Sequence, residues 1–361
     1  MTNLINEQIR DAVRRAAVKA RGNSIARRRS KSPTKPSAAW TAPCRIGSSQ
    51  GTALSIVLSS IGCVHARSDE GGCTMCSYLL DGASKNPTPE EFFLQFQTAM
   101  RKLENVNASL SVKIYTSGSF LDSDEIPIDA RNQILQTISA DDRIREVVLE
   151  SRPEFVTDAV LTDVREMLGN RSVELGVGLE SSSDFVRSIC INKNFNLDSF
   201  SQAVTIGKKH DIGIRAYVLL KPPFMTEHSA LLDAQKTVTD AISLGTTTIS
   251  LNPVNVQRNT IVESLWIKGK YRPPWLWSVV EVLRHAHNVS KGNANIVCDP
   301  VAAAKSRGAH NCGNCDSSII DSIRSFSINQ DVRVFDNLRC DCRELWKHVL
   351  EHEDVSLHVH I

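Results

Sequence analysis

Three cysteines lie close together in the segment CVHARSDEGGCTMC, which runs from Cys63 through Cys73 to Cys76. A closed structural zinc site needs four protein ligands, and a disulfide framework needs an even number of cysteines. A [4Fe-4S] cluster bound by three thiolates, in contrast, leaves one iron without a protein ligand and free to bind a small molecule. The C-x9-C-x2-C spacing therefore favours an open, catalytic cluster with these three cysteines as its ligands.

A second cysteine group lies near the C-terminus, in RGAHNCGNCDSS and LRCDCRELW. It consists of two close pairs, Cys312 with Cys315 and Cys340 with Cys342, which together match the ligand number of a tetrahedral zinc site. The same four thiolates could bind an auxiliary [4Fe-4S] cluster instead, and His310 could replace one of them. We predict a metal-binding module here, with zinc as the expected metal.

The composition is that of a globular protein in a reducing compartment. The chain has 361 residues, of which 41% are hydrophobic and 23% charged, and it contains no run of eighteen apolar residues. The N-terminus is charged throughout and does not resemble a secretory signal. Ten cysteines in spaced clusters favour metal-binding thiolates over disulfides, so we expect a cytoplasmic protein with no membrane partner.

Basic residues are concentrated at the N-terminus, where residues 1–35 contain ten Lys and Arg against two acids. Apolar residues at helical spacing predict an amphipathic helix over residues 1–21. Further basic residues follow among Ser, Pro and Thr: Arg27, Arg28, Arg29, Lys31 and Lys35. Such a segment suits contact with a nucleic-acid phosphate backbone, and a solvated tail is the alternative.

Six β-rich apolar segments alternate with amphipathic helical segments in the middle of the chain. The predicted strands are residues 53–60, 111–117, 145–151, 173–180, 213–220 and 246–253. Repetition of strand and helix every roughly 30 to 40 residues is typical of a parallel sheet that closes toward a barrel. The predicted fold class is therefore α/β.

Polar residues follow nearly every predicted strand. Because ligands in such folds bind at the carboxyl ends of the strands, we expect these residues to line a cavity. They are Ser117 and Gly118 after the second strand, Glu150 and Arg152 at the third, Glu180 and Ser181 at the fourth, Lys221 after the fifth, and Asn252 and Gln257 at the sixth.

The cysteine triplet, placed directly after the first strand of a repeating β/α domain, resembles the radical S-adenosylmethionine (SAM) superfamily. Its spacing is similar to that of the Elongator-catalytic-subunit-like branch, which the segments IYTSGSFLDSDEIP, VLESRPEFVT, VGLESSSDFVRSICINKNF, YVLLKPPFMTE and LNPVNVQRNT also resemble. Together with the distal cysteine pairs, they are closest to the archaeosine biosynthesis radical SAM family, RaSEA, over residues 45–345. The resemblance implies a partial (β/α)6, TIM-barrel-like fold that binds a [4Fe-4S] cluster and SAM.

The resemblance also implies a reaction. In that family the substrate is a tRNA whose D-arm carries 7-cyano-7-deazaguanine to which a partner subunit has attached lysine. A radical cleavage of the lysine C–N bond, of lyase type, leaves the amidine of archaeosine, and an electron donor must supply the electron. The implied partners are therefore tRNA, the lysine-attaching subunit and an electron donor.

Roles for single residues follow from the same resemblance. Cys63, Cys73 and Cys76 would bind the cluster, and Met75 would lie beside the adenine of SAM, with loop packing as its alternative. Ser117 and Gly118 would hold the methionyl amine through backbone groups, although TSGS stands where the superfamily has GGE.

The later strand ends would bind the rest of SAM and the substrate. Glu150 and Arg152 would face the amine and carboxylate of SAM, with a mutual salt bridge as the alternative. Ribose contacts would come from Glu180 and Ser181. The substrate candidates are Lys193 and Lys221, which would otherwise be ordinary surface lysines, together with Asn252 and Gln257.

These expectations divide the chain into a basic helical arm and linker (1–44), a radical SAM core (45–255), a helical extension (256–300) and a cysteine-rich metal module (301–361). Two other functions stay open. One is a different RNA modification by an Elongator-like radical SAM enzyme. The other is a non-catalytic, zinc-rich RNA-binding adaptor, in which the cysteine triplet and His65 or Cys44 would bind a second zinc ion.

Overall fold

The protein is built around one curled, eight-stranded sheet whose strands follow chain order. The computed structural model describes residues 2–24, 26 and 32–353. The first strand runs antiparallel to the second, and every later pair of neighbours is parallel. The strands are β1 (Ala38–Ile46), β2 (Ser49–Val57), β3 (Leu110–Tyr115), β4 (Ile144–Ser151), β5 (Ser172–Glu180), β6 (Gly213–Leu220), β7 (Thr248–Pro253) and β8 (Asn295–Val297).

Helices connect the parallel strands, because a parallel pair needs a crossover between its members. They are α1 (Thr2–Arg21), α2 (Val64–Arg67), α3 (Pro89–Met100), α4 (Ile128–Ser139), α5 (Asp158–Leu168), α6 (Leu197–Lys209), α7 (Glu227–Leu244), α8 (Ile261–Ile267), α9 (Leu276–Ser290), α10 (Asp316–Asn329) and α11 (Cys342–His352). Side-chain caps fix where several of them begin. Thr88 and Glu91 form a reciprocal capping box at α3, and Thr226 caps α7.

All six predicted strands are present, as β2 to β7, and the predicted α/β fold class is confirmed. The two outer strands, β1 and β8, were not predicted. β1 contains Pro43, which reads as linker in the sequence and is tolerated because the strand lies at the edge of the sheet. β8 has only three residues, too few to show a periodic pattern.

Strands and core packing cross the predicted domain boundaries in three places. The boundary after residue 44 falls within β1, which pairs with β2 along its whole length. The predicted helical extension, 256–300, ends in β8, a strand of the same sheet. The predicted module 301–361 is not separate, since α10 and α11 bury Ile323 and Trp346 in the main hydrophobic core.

The predicted N-terminal helix is present as α1, and it packs against the domain. Val13 and Ala17 are buried against Ile261 of α8. Four basic residues of the predicted arm lie outside the described residues: Arg27, Arg28, Arg29 and Lys31. Among the helices that the structure describes, none is long and apolar enough to cross a bilayer.

Helix α10 covers the gap between the two edges of the open sheet, contacting both β1 and β8. The side chain of Gln330, directly after α10, accepts from the Ile296 amide at 2.9 Å and donates to the Ile296 carbonyl at 2.8 Å. Ser327 Oγ bonds the amide and carbonyl of Cys298 in the same way, at 2.9 and 3.0 Å. These side chains take the place of a ninth strand, and β8 therefore exposes no open edge there.

Apolar packing fills the space between the sheet and its helices, where Phe92, Phe96 and Phe200 are fully buried. In a closed (β/α)8 barrel the interior is filled as well, by layers of branched apolar side chains. Here polar side chains face the interior instead: Ser55, Lys113, Glu150, Arg215, Tyr217, Thr248 and Asn252 line the enclosed cavity. The barrel interior is thus built to hold polar groups.

One ion pair inside the barrel joins Arg215 of β6 to Glu174 of β5. The guanidinium donates twice to Glu174 Oε2, at 3.0 and 2.7 Å, while Thr247 and Thr248 donate to Oε1 at 2.7 and 2.6 Å. Burial opposes ionisation of the carboxyl, but the charge of Arg215 and these hydrogen bonds outweigh it and lower the pKa of Glu174. The pair is therefore fully ionised and fully bonded.

Glu174→Gln would leave Arg215 without a counter-charge in this interior. We expect a loss of about 3–5 kcal/mol in the free energy of unfolding, because one buried charge becomes uncompensated. Chemical denaturation followed by circular dichroism measures it. Asp158→Asn, which breaks an exposed pair with Lys209, is the control and should have little effect. Equal stabilities of the two variants would contradict the importance of the buried pair.

Candidate active site and metal centre

A cavity of about 830 Å³ occupies the barrel interior and extends to the carboxyl ends of the strands. The cysteine triplet lies along it. The other predicted site residues that line it are Met75, Ser117, Gly118, Glu150, Arg152, Glu180, Lys193, Asn252 and Gln257. Residues from β2 to β7 therefore converge on one space, as the positions at the strand ends led us to expect.

Two of the predicted site residues do not line this cavity. The hydroxyl of Ser181 donates to Asp233 at 2.8 Å on the helical side of the sheet. Lys221 is buried in an ionic network, with its Nζ 2.8 Å from Glu227 and 3.3 Å from Glu353. The alternative of an ordinary surface lysine is therefore wrong for Lys221, and equally for Lys193, which is 9% exposed.

The cysteine loop owes its shape to glycines. Gly71 and Gly72 have φ angles of +75° and +72°, in the left-handed region that favours glycine, and a Cβ on Gly72 would lie 2.9 Å from the backbone of α2. The chain turns back there, which brings Cys73 to the cavity that Cys63 also lines. Gly118 packs so closely that its Cβ would lie 2.6 Å from the Cα of Cys63.

Two arginines of α1 brace the same loop. Arg21 is buried, and its guanidinium donates to the carbonyls of Ala66 and Cys76, both at 3.3 Å. About two turns earlier, Arg14 forms an ion pair with Glu70 at 2.5 Å. Sequence analysis placed both arginines in the basic helical arm, and in the structure both contact the cysteine loop.

The loop after β5 holds the cysteine loop from its other side. Asn192 Nδ2 donates to the carbonyls of Glu70 and Gly72, both at 2.8 Å, and its own carbonyl accepts from His65 Nε2 at 2.6 Å. Burial lowers the pKa of His65 to about 4, so the ring is neutral. His65 thus serves loop packing, and no residue pattern in the sequence pointed to Asn192.

The three thiols share one electrostatic environment. Burial, followed by the charge of Cys73, raises the pKa of Cys76 to about 12, and Cys63 contributes in the same direction. Thiols in such a place ionise when a metal centre binds them, because the metal supplies the missing positive charge. Arg152 Nη1, 3.9 Å from Cys63 Sγ, adds further positive charge beside the triplet.

Glu150 and Arg152 have separate partners, so the salt bridge between them that was the alternative is wrong. Arg152 pairs with Glu154 and donates to Asn194. Glu150 Oε2 accepts from the Thr116 amide at 2.9 Å. Burial raises the pKa of Glu150 to about 8 in spite of that hydrogen bond, so the carboxyl can hold a proton near neutral pH.

Glu180 and Lys193 form an ion pair that faces the cavity, with Nζ 2.7 Å from Oε1. Gly178, between them and the sheet, leaves the room that they occupy, because a Cβ there would collide with both side chains. Glu180 ends β5, and Ser181, the next residue, lies on the opposite face of the sheet, as successive residues of a strand do. This alternation separates the two predicted ribose contacts.

The distal cysteines form a compact tetrad. The Sγ atom of Cys312 lies 4.0 Å from that of Cys315 and 3.6 Å from that of Cys340. The Sγ atoms of Cys315 and Cys342 lie 3.6 Å apart. All four Sγ atoms lie within 4.8 Å of one another. Tetrahedral zinc with Zn–S bonds of about 2.3 Å places its sulfurs about 3.8 Å apart, whereas a disulfide needs about 2 Å.

The surroundings of the tetrad complete the site. Trp277 Nε1 lies 3.3 Å from Cys342 Sγ and donates to it, as groups around a metal ligand commonly do. His310 Nδ1 bonds the carbonyl of Gly308 and is not part of the tetrad. Among the residues that the structure describes, the cysteine triplet belongs to no comparably tight group, either alone or with His65 or Cys44.

The fold places this chain in a known class. An archaeal Elp3 from Methanocaldococcus infernus, solved without its first 46 residues, matches with a TM-score of 0.51 at 14% identity, over 69% of this chain and 60% of that one. The protein is therefore an α/β half-barrel of the Elp3 type. No protein-family model matches the chain.

Sequence relatives name the family. The archaeosine synthase subunit beta of Methanosarcina acetivorans is 42% identical over 326 residues, which cover 90% of this chain and 93% of that protein. The archaeosine synthase subunit beta of Thermococcus kodakarensis is 36% identical over 313 residues, 86% of this chain and 96% of its own length. The chain belongs to the archaeosine synthase subunit beta family, and the resemblance found in the sequence is confirmed.

Arg21→Met should loosen the cysteine loop without unfolding the protein. Loss of two charge-assisted hydrogen bonds costs about 1–3 kcal/mol locally, so the metal-free thiols should react about ten-fold or more faster with a thiol reagent. Arg15→Met removes the same charge from an exposed position of the same helix and should react like the wild type. Identical rates for both variants would show that α1 does not position the loop.

Cys315→Ala should lower metal binding by the tetrad and weaken the closure by α10, because Cys315 belongs to the tetrad and is the N-cap residue of this helix. Structural zinc contributes directly to folding, so we expect less than one zinc per chain and a lower midpoint in thermal denaturation. Cys44→Ala, outside the tetrad, should retain the metal. Full zinc retention in Cys315→Ala, or iron in place of zinc, would refute the assignment.

Proposed function

We propose that the protein is a radical SAM enzyme of tRNA modification, which cleaves the lysine C–N bond of lysine-modified 7-cyano-7-deazaguanine in the D-arm to form archaeosine. The observation that carries this proposal is the three-cysteine loop beside a polar barrel cavity, in a chain of the archaeosine synthase subunit beta family. A packed structural barrel would have no use for such an interior.

The cysteine triplet fits an open [4Fe-4S] cluster. Its thiols line one cavity, and they are not gathered as tightly as the distal tetrad, which suits ligands of separate irons rather than of one ion. Such a cluster, bound together with SAM, supplies reductive cleavage of the sulfonium to a 5′-deoxyadenosyl radical. The chain itself holds the ligands in place, through Arg21 on one side and Asn192 on the other.

Residues around the triplet would bind SAM. Met75 lies between two of the cysteines, and Ser117 and Gly118 offer backbone groups across from them. The guanidinium of Arg152 would bind the carboxylate of SAM. Glu180, which is oriented by its ion pair with Lys193, would accept hydrogen bonds from the ribose hydroxyls. Ser181 would contribute only its backbone, because its hydroxyl is bonded elsewhere.

The substrate would be bound farther around the barrel rim. The side chain of Asn252 has no hydrogen-bond partner in the described part of the protein and faces the cavity, so its amide is free for a base edge. Gln257 already accepts from the Ser77 amide at 2.7 Å, which fixes its orientation. Lys193 can also reach a substrate group, whereas the buried, paired Lys221 is not included in this proposal.

The proposal includes zinc at the distal tetrad, because the sulfur separations suit a single tetrahedral ion better than a four-iron cluster. It also includes three partners: tRNA, the subunit that attaches lysine, and an electron donor. Both relatives are named as subunits of archaeosine synthase, which is consistent with a partner protein. A reducing compartment such as the cytoplasm follows from the need for reduced thiolates.

Turnover under anaerobic, reducing conditions tests the proposal. With SAM and tRNA bearing the lysine-modified base, we expect archaeosine and 5′-deoxyadenosine, both identified by mass spectrometry. Cys73→Ala should lower both products to background because one cluster ligand is missing. Cys190→Ala changes a buried thiol outside the cavity and should remain active. Cleavage of SAM by Cys73→Ala, or a wild type that cleaves SAM but leaves the lysine intact, would each contradict the proposal.

A further inference from the structure

Lys113 is a cation of the barrel interior that lacks a partner. It lies on β3, two residues before the strand ends, and its side chain lines the cavity. None of the hydrogen bonds or ion pairs among the described residues involves its ammonium group. At about 3.3 Å per residue, its Cα lies about 7 Å below the carboxyl end of the strand, and hence deeper than the cysteine loop.

Three other cations that line the cavity have charged partners: Arg215 is bonded twice to Glu174, Lys193 is paired with Glu180, and Arg152 is paired with Glu154. Arg45, near the end of β1, also lines the cavity, and its buried Nε has no hydrogen-bond partner among the described residues. Burial, together with the charge of Arg215, lowers the pKa of Lys113. Glu146 and Glu174 act on Lys113 in the opposite direction, but neither forms an ion pair with it. A buried ammonium group that lacks a direct ion pair is unfavourable, and a bound anion would supply that pair.

Two more polar groups of the same chamber lack partners. The hydroxyl of Tyr217, on β6, is fully buried and has no hydrogen-bond partner in the described structure. Gly176 creates the space for it, since a Cβ there would collide with the phenol oxygen. Glu150, whose charge reaches Tyr217, accepts one hydrogen bond from Thr116 and pairs with no cation among the described residues.

The arrangement brings three groups to one cavity: a cation without an ion pair, a carboxyl without a cationic partner and a hydroxyl without a hydrogen-bond partner among the described residues. A phosphate does not suit it, because the carboxyl groups of Glu146 and Glu150 line the same cavity and oppose the binding of a doubly charged anion. A zwitterion does suit it, because a carboxylate and an ammonium group on one carbon can be bound by opposite charges of the wall.

We propose that this chamber is an amino-acid subsite, in which Lys113 binds the carboxylate and Glu150 the ammonium group of a zwitterionic chain end, with Tyr217 adding a hydrogen bond. The positive charge of that ammonium group favours the carboxylate form of Glu150, whose pKa burial raises to about 8. The proposal rests on the proposed function for the source of that zwitterion, which is the lysine attached to the modified base. The methionyl part of SAM carries the same chemistry, but the depth of Lys113 favours the substrate.

Equilibrium binding of two small probes tests the subsite directly. Nε-acetimidoyl-lysine carries the amidine and the zwitterion, and N-acetimidoyl-cadaverine lacks only the carboxylate. We expect the cluster-loaded wild type to bind the lysine probe about 10- to 100-fold more tightly in calorimetry, the range of a charge-assisted hydrogen bond. Lys113→Met should bind both probes as weakly as the wild type binds the cadaverine probe.

Control variants make the result specific. Lys102→Met removes the same charge from an exposed site outside the cavity and should keep the full discrimination. Lys113→Arg keeps the positive charge and should retain part of the discrimination between the two probes. An equal loss for both probes in Lys113→Met would point to a merely structural lysine, and no loss would also overturn the subsite. Weaker binding of SAM alone would assign the zwitterion to SAM and contradict the proposal.

The subsite and the proposed function can fail separately. If the wild type discriminates between the probes but does not convert lysine-modified tRNA, the subsite is supported and the proposed reaction is contradicted. If Lys113→Met converts the tRNA with the kcat and KM of the wild type, the proposed reaction is supported and the subsite is contradicted.

Discussion

A barrel interior made of ionisable side chains is stable only where each charge meets a partner. This constraint governs the structure from β3 to β7. Glu174 forms an ion pair with Arg215 and accepts hydrogen bonds from two threonines, and Lys193 forms an ion pair with Glu180. These closed pairs form the wall of the cavity. Lys113 lines the same wall without an ion pair among the described residues, and this is where we propose that a bound molecule supplies the counter-charge.

The ends of the chain complete this interior. At one end, α1 places Arg14 and Arg21 on the cysteine loop, whose two glycines let it turn back on itself. At the other end, the cysteine tetrad fixes the start of α10, and this helix covers the open edges of the sheet. Segments that a sequence would class as an arm and a module are therefore parts of one folded unit with the barrel.

The sequence predicts what is encoded locally. Six strands follow from β-rich runs, and both cysteine groups follow from their spacing, because ligand geometry restricts that spacing. The missing elements depend on distant partners. Nothing near Asn192 indicates that it would bond the cysteine loop more than a hundred residues earlier, and the burial of Lys221 depends on Glu353.

Side-chain direction at the strand ends also limits what a sequence pattern can assign. Glu180 and Ser181 were both predicted to contact the ribose, but successive residues of a strand face opposite sides of the sheet, and only Glu180 lines the cavity. Lys113 and Tyr217 lie inside predicted strands, where a single polar residue usually faces solvent, so the sequence predicts no role for them. Only the curled sheet of the structure shows that both side chains line the same cavity.

In the proposed enzyme the cysteine triplet binds an open iron–sulfur cluster and the distal tetrad binds zinc. Anaerobic measurement of the iron and zinc content of the purified, reconstituted protein tests both metal assignments at once. We expect about four iron and one zinc per chain. About two zinc with no iron would contradict it, because the cavity would then lack the reductant on which the proposed chemistry depends.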